Sequence, residues 1–158
     1  MTRTYFVRFE TSLDPFRERL AEHRWGLVRG ERLADKLASE LGRRGVQVKE
    51  REGTSYSWQI YARVKDRVVL LELAPHPDGS GWFMSCNSTL NFLERLFGRR
   101  DGDEVFELAL VVDGLLHEDA TITLVRWALH YEGGETTPHP VNPESLPTIK
   151  IVKLPPRD

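Results

Sequence analysis

Tyr56-Ser57-Trp58-Gln59-Ile60-Tyr61-Ala62-Arg63-Val64-Lys65 alternates with a period of two. Tyr56, Trp58, Ile60, Ala62 and Val64 project one way; Ser57, Gln59, Tyr61, Arg63 and Lys65 project the other. One apolar and one polar face make a half-buried strand of the antiparallel kind, because strands of parallel sheets are buried on both faces and read as continuous apolar runs. A tight turn near Asp66-Arg67 leads into a second strand, Arg67–Ala74. Its apolar residues occupy both faces, which predicts a central position with something packed on each side. Pro75-His76-Pro77-Asp78-Gly79 is turn chemistry, and Gly81–Asn87 is a third strand carrying Trp82 and Met84. Burying Trp58 and Trp82 is worth about 2–3 kcal/mol each, and a one-residue slip would expose both, so they fix the register.

Working towards the N-terminus, Val46 and Val48 begin a further strand. Ahead of them Leu33, Leu37 and Leu41 recur every four residues beside Ala34 and Ala38, which predicts an amphipathic helix from about Gly30 to Leu41. Gly42 or Gly45 supplies the left-handed residue that ends it. Asp14-Pro15 opens an earlier helix with Phe16, Leu20 and His23 on one stripe. Thr4–Glu10 is a strand with Tyr5, Val7 and Phe9 on a shared face.

Towards the C-terminus, Ser88 caps a short helix with Leu90, Leu93, Leu96 and Phe97 facing inward, closed by Gly98. The stretch from about Glu104 to His117 is apolar nearly all round and is expected to lie deep against the sheet. Thr121–Tyr131 is the last core strand. The sum is an α+β domain over residues 1–131: an antiparallel, largely meandering sheet of about five to six strands, with helices mainly on one face. Residues 132–158 hold six of the nine prolines and read as an extended tail, with a strand-like piece at Thr148–Leu154.

Composition narrows the function classes. The 158 residues suit one domain, and 40% hydrophobic with 29% charged residues is ordinary for a soluble protein. A lone cysteine, Cys86, allows no internal disulfide and fits a reducing compartment. The longest apolar runs, Val68–Leu71 and Leu108–Val112, fall far short of the about 18 residues a membrane span needs. Arg8 and Glu10 interrupt any signal-peptide core. These features predict a cytoplasmic protein with no membrane partner. Net charge is −2, divided between residues 1–100 (18 Lys/Arg against 13 Asp/Glu) and residues 101–158 (4 against 11). No dense basic stripe is present, so nucleic acid is not an expected partner.

Candidate chemistry is sparse. Cys86 lies just ahead of the helix start at Ser88, where a helix N-terminus would lower a thiol's pKa, and His76 or His130 would be its base. Against this, a single cysteine among strand residues is ordinarily a small buried hydrophobe. The histidines 23, 76, 117, 130 and 139 show no metal spacing, so no metal or cofactor is expected; His117-Glu118-Asp119 reads as a solvated helix end. Asp101, Asp103, Glu104, Glu107, Asp113, Glu118 and Asp119 form an acidic stretch. The helix dipole accounts for the first four; the alternative is an acidic face matched to a basic partner. Ile149, Ile151 and Leu154 of the tail would contact a partner by adding a strand to a sheet edge. Gln59, Tyr61 and Arg63 would line a polar pocket on the outward sheet face, beside Cys86 or His130. Asp78-Gly79-Ser80-Gly81 lacks the phosphate-loop pattern, and no serine sits in a nucleophile-elbow setting.

The segments Ser57–Val64, Gly81-Trp82-Phe83 and Phe92-Leu93-Glu94-Arg95-Leu96-Phe97-Gly98-Arg99 resemble parts of small uncharacterised bacterial α+β proteins. In general character the chain also resembles the immunity proteins of bacterial toxin systems. The segment resemblance implies a bacterial or phage origin, and it transfers no active site. The function expected from these readings is a non-enzymatic protein-binding domain, an immunity or adaptor protein. A small-ligand binder or enzyme using the sheet face near Cys86 is one alternative; a subunit of an oligomeric assembly formed by self-association is the other.

Overall fold

The computed structural model describes residues 4–12, 30–76, 81–89, 102–129 and 135–142, together with 94 and 96–98. Among them are six strands and two long helices. In chain order these are β1 (Thr4–Thr11), α1 (Glu31–Arg43), β2 (Gln47–Gly53), β3 (Trp58–Val64), β4 (Arg67–Pro75), β5 (Trp82–Ser88), α2 (Glu104–Glu118) and β6 (Ile122–Ala128). The strands form one antiparallel sheet in the order β2-β3-β4-β5-β1-β6. Strands β2 to β5 meander; β1 then inserts between β5 and β6. The fold is α+β, as the alternation in β3 predicts.

Every second residue of the central strands faces the helices. Trp58, Ile60 and Ala62 of β3, Val69, Leu71 and Leu73 of β4, Trp82, Met84 and Cys86 of β5, and Tyr5, Val7 and Phe9 of β1 are all buried there. Helix α1 turns Leu33, Ala34, Leu37 and Leu41 onto β2 and β3. Helix α2 lies across β3, β4, β5, β1 and β6, burying Val105, Leu108, Ala109, Val112, Leu115 and Leu116. The opposite sheet face carries the alternate residues. On it Phe6 stacks on Phe83 with ring centroids 5.5 Å apart. Tyr61 Oη donates to Gln59 Oε1 at 3.0 Å, and Gln59 Nε2 donates to Glu72 Oε1 at 3.0 Å. No described helix packs on this face, so β4 is central in the sheet yet deeply buried on only one side.

Three expectations need correction. Tyr56 is not part of the strand: Thr54 Oγ1 accepts the N–H groups of Tyr56 and Ser57, and this side-chain turn delays pairing until Trp58. Tyr56 is accordingly exposed. Leu96 and Phe97 do not face inward but stand in solvent, just before the left-handed Gly98. Strand β6 is irregular, with a register shift opposite Arg8–Glu10, and Leu124 is exposed at φ 54°. The helix expected after Pro15 and the strand-like piece at 148–154 lie outside the described residues. Among the described residues no helix is long and apolar enough to cross a membrane.

Candidate metal centre

Helix α2 places Asp113 and His117 one turn apart, so their side chains lie on one face. Asp113 occupies an inward position between Ala109 and Leu116 and is only 8% exposed. A carboxylate in such a place needs donors, since burying an unpaired charge costs several kcal/mol. The first comes from β6. Trp127 is buried at the α2–β6 contact, and its indole Nε1 donates to Asp113 Oδ1 at 2.8 Å. The backbone of Trp127 also exchanges two hydrogen bonds with Thr137, at 2.8 and 2.9 Å, which fastens the segment 135–142 along the β6 edge. Thr137 Oγ1 then donates to the His139 carbonyl at 2.6 Å. Two residues past the bridge, His139 reaches inward.

Both imidazoles converge on the carboxylate. His139 Nδ1 lies 2.8 Å from Asp113 Oδ2, and His117 Nδ1 lies 3.0 Å from Asp113 Oδ1 and 3.0 Å from the Asp113 carbonyl. The two rings are 4.6 Å apart at a 37° tilt. The His117 side chain is 36% exposed and that of His139 64%, so the carboxylate is the fixed hub and the rings are its accessible arms. As hydrogen-bond donors to Asp113 both rings carry the Nδ1 proton; ligation through Nδ1 moves that proton to Nε2 and leaves the Nδ1 lone pairs beside the carboxylate.

One carboxylate oxygen and two imidazole nitrogens, each within 4.8 Å of the others, form a donor set suited to a borderline divalent ion. Ligand bonds of about 2.0–2.1 Å in a tetrahedral site separate the donor atoms by about 3.4 Å. The 2.8 and 3.0 Å separations therefore need to widen by about 0.4–0.6 Å, which imidazoles at the surface can do. Trp127 would serve as the outer-shell donor that orients the carboxylate. No protein-family model, curated protein or solved structure matches the chain.

The residues singled out by sequence lie elsewhere. Cys86 is fully buried among helix-facing core side chains, and burial pushes its thiol well above the ordinary value. It faces away from Gln59 and Tyr61, because it pairs with Leu71 on the inner face while Tyr61 pairs with Leu70 on the outer one. His76 sits at the end of β4 with its N–H bonded to the Gly81 carbonyl; His130 lies outside the described residues. Of the acidic stretch, Asp103 is at the N-cap of α2, and Glu107 pairs with Lys65 at 2.7 Å, a hydrogen bond that holds Lys65 above its usual value. Glu104 adds to the same field. Asp101, Ile149, Ile151 and Leu154 lie outside the described residues.

The cluster shows no metal spacing along the chain because His139 stands 26 residues from Asp113. Its visible half was Asp113-x-x-x-His117, a carboxylate inside the apolar stripe of a helix.

Proposed function

We propose that this domain binds a divalent transition-metal ion of the zinc class through Asp113, His117 and His139. The observation that carries the reading is the convergence of two imidazoles on one buried carboxylate, itself oriented by an indole N–H. Here the carboxylate is itself a ligand, and the Trp127 indole N–H takes the supporting part that outer-shell donors play at metal sites. Calorimetric titration of chelator-stripped, tag-free protein with zinc tests it. One equimolar site is expected, weakened at least tenfold by His117→Ala and by His139→Ala. Equal affinity in the double variant would move the ion elsewhere, and no heat at all would leave the cluster as a hydrogen-bonded tie between α2 and β6.

A second reading is protein binding by the outer sheet face, as a cytoplasmic immunity or adaptor protein. It is favoured by the stacked Phe6 and Phe83 on the same sheet face as the Gln59, Tyr61 and Glu72 network, aromatic and polar side chains on one surface. Capture of a single protein by the parent that Phe6→Ser/Phe83→Ser abolishes supports it; equal capture by both counts against it.

A further inference from the structure

We infer that ion binding at this centre controls whether residues 135–142 stay docked on the edge of β6, an inference that rests on the metal reading above. Two of the three ligands, Asp113 and His117, belong to one helix whose place is fixed by core burial. The third arrives on a separate stretch of chain. The described attachments of that stretch include the two backbone hydrogen bonds between Trp127 and Thr137, the contact of His139 with Asp113, the His139 ring against that of His117, and the buried Pro140. Its neighbours Glu135, Thr136, Pro138 and His139 are exposed. His139 is thus one of the contacts that hold the segment on the fixed layer.

Thermodynamic linkage gives the consequence. An ion that requires all three ligands binds the docked state and not the undocked one. It therefore multiplies the docked-to-undocked ratio by one plus the ion concentration over its dissociation constant. Zinc at ten times that constant raises the ratio about elevenfold, and at one hundred times about a hundredfold. In the undocked state the N–H and C=O of Trp127 lose their Thr137 partners and face water, leaving β6 with an unpaired edge at that point. Asp113 keeps its indole donor throughout, since Trp127 reaches it from β6 and not from the moving segment. The device has a fixed half, made of α2 and β6, and a movable half carrying His139.

The test is amide hydrogen exchange on the full chain, with zinc against chelator, read at Trp127 and Thr137 and compared with Ile60 and Leu71 of the central strands. Without zinc, the Trp127 and Thr137 amides are expected to exchange faster than the central ones, through local undocking. Zinc at ten and one hundred times the measured constant is expected to slow them about tenfold and a hundredfold. His117→Phe keeps the His139–Asp113 contact and an aromatic ring beside His139, so its metal-free exchange at Trp127 should match the parent while the zinc response is lost. His139→Ala should speed metal-free exchange at Trp127 and also abolish the response. If zinc binds and slows Ile60 and Leu71 but leaves Trp127 and Thr137 unchanged, the ion sits on the helix alone; the clasp is then overturned while the metal reading stands. If calorimetry detects no zinc, both fall together.

Discussion

Replacing Gly30 by alanine tests how tightly the helix–sheet layer is closed. Gly30 precedes α1 at φ 111°, and its carbonyl accepts the Ala34 N–H at 2.8 Å to begin the helix. A Cβ there would lie 2.6 and 2.7 Å from two ring atoms of Trp82. That ring is 2% exposed and walled in by the core, so it cannot swing aside. Two costs follow. The left-handed backbone costs a non-glycine residue about 1–2 kcal/mol, and forcing an extra carbon into a packed core adds about 1–3 kcal/mol. Gly45 provides the control, because it also has a positive φ, 83°, but nothing lies within 4 Å of its Cβ position. Gly45→Ala should therefore show the backbone cost alone. Gly42, inside α1 with open space around it, should gain about 0.5–1 kcal/mol on becoming alanine. Urea unfolding followed by circular dichroism reads all three. With a slope of about 2 kcal/mol/M, Gly30→Ala should lower the midpoint by about 1.5 M, Gly45→Ala by about half that, and Gly42→Ala should raise it slightly. If Gly30→Ala is no worse than Gly45→Ala, Trp82 does not press on this turn and the packing argument fails.

Three further outcomes follow from named contacts. Cys86 should not react with a thiol probe at pH 8 until denaturant opens the core, because the buried thiol is held well above its ordinary pKa; rapid labelling of native protein would contradict its burial. Trp127→Phe keeps most of the ring but removes the donor to Asp113, and should destabilise by about 1.5–3 kcal/mol; an unchanged thermal midpoint would mean that the carboxylate does not depend on the indole. Asp119 supplies a pH test. Burial pushes its pKa up, but hydrogen bonds from Lys36 and Thr121 outweigh that and bring it from 3.8 to about 2. A depressed acid stabilises the fold above pH 3.8 and loses that contribution as pH falls towards 2, by about 1 kcal/mol once solvent screening is allowed for. Lys36→Met should shrink the difference between urea midpoints measured at pH 6 and pH 3, and an undiminished difference would assign acid sensitivity to other groups.

The strands of this fold were legible wherever a two-residue period met one buried face. Tyr5, Val7 and Phe9, or Trp58, Ile60 and Ala62, announce both a strand and its inward side. Periodicity states which way side chains point, not which strand lies alongside. The placement of β1 between β5 and β6 therefore could not be read from Thr4–Thr11 alone. The same limit explains β6. Its sequence reads as a single run, yet a bulge opposite Arg8–Glu10 turns Leu124 outward, and a bulge is a relation between two strands that neither records.

The candidate centre divides along the same line. Asp113 stands where the inward stripe of α2 calls for an apolar side chain, with Ala109 before it and Leu116 after it. Counted among the acidic residues of 101–119 it looks like surface charge; placed on the helical wheel it is an anomaly that a donor must answer. The expectation of an acidic stretch followed the first count, whereas the second calls for a buried carboxylate with partners, of which His117 one turn on is the nearest. What the sequence did not contain was the closing contact. His139 is 26 residues from Asp113 and comes within reach only because Thr137 bridges to Trp127, the same residue whose indole satisfies the carboxylate. One tryptophan therefore supports the hub with its side chain and positions the last ligand with its backbone. Weakening the Thr137 bridge should then lower zinc affinity without touching any ligand: Thr137→Pro removes the N–H that bonds to the Trp127 carbonyl and should weaken zinc binding several-fold, with Asp113, His117 and His139 all intact. Affinity unchanged in that variant would show that His139 finds the carboxylate without the bridge.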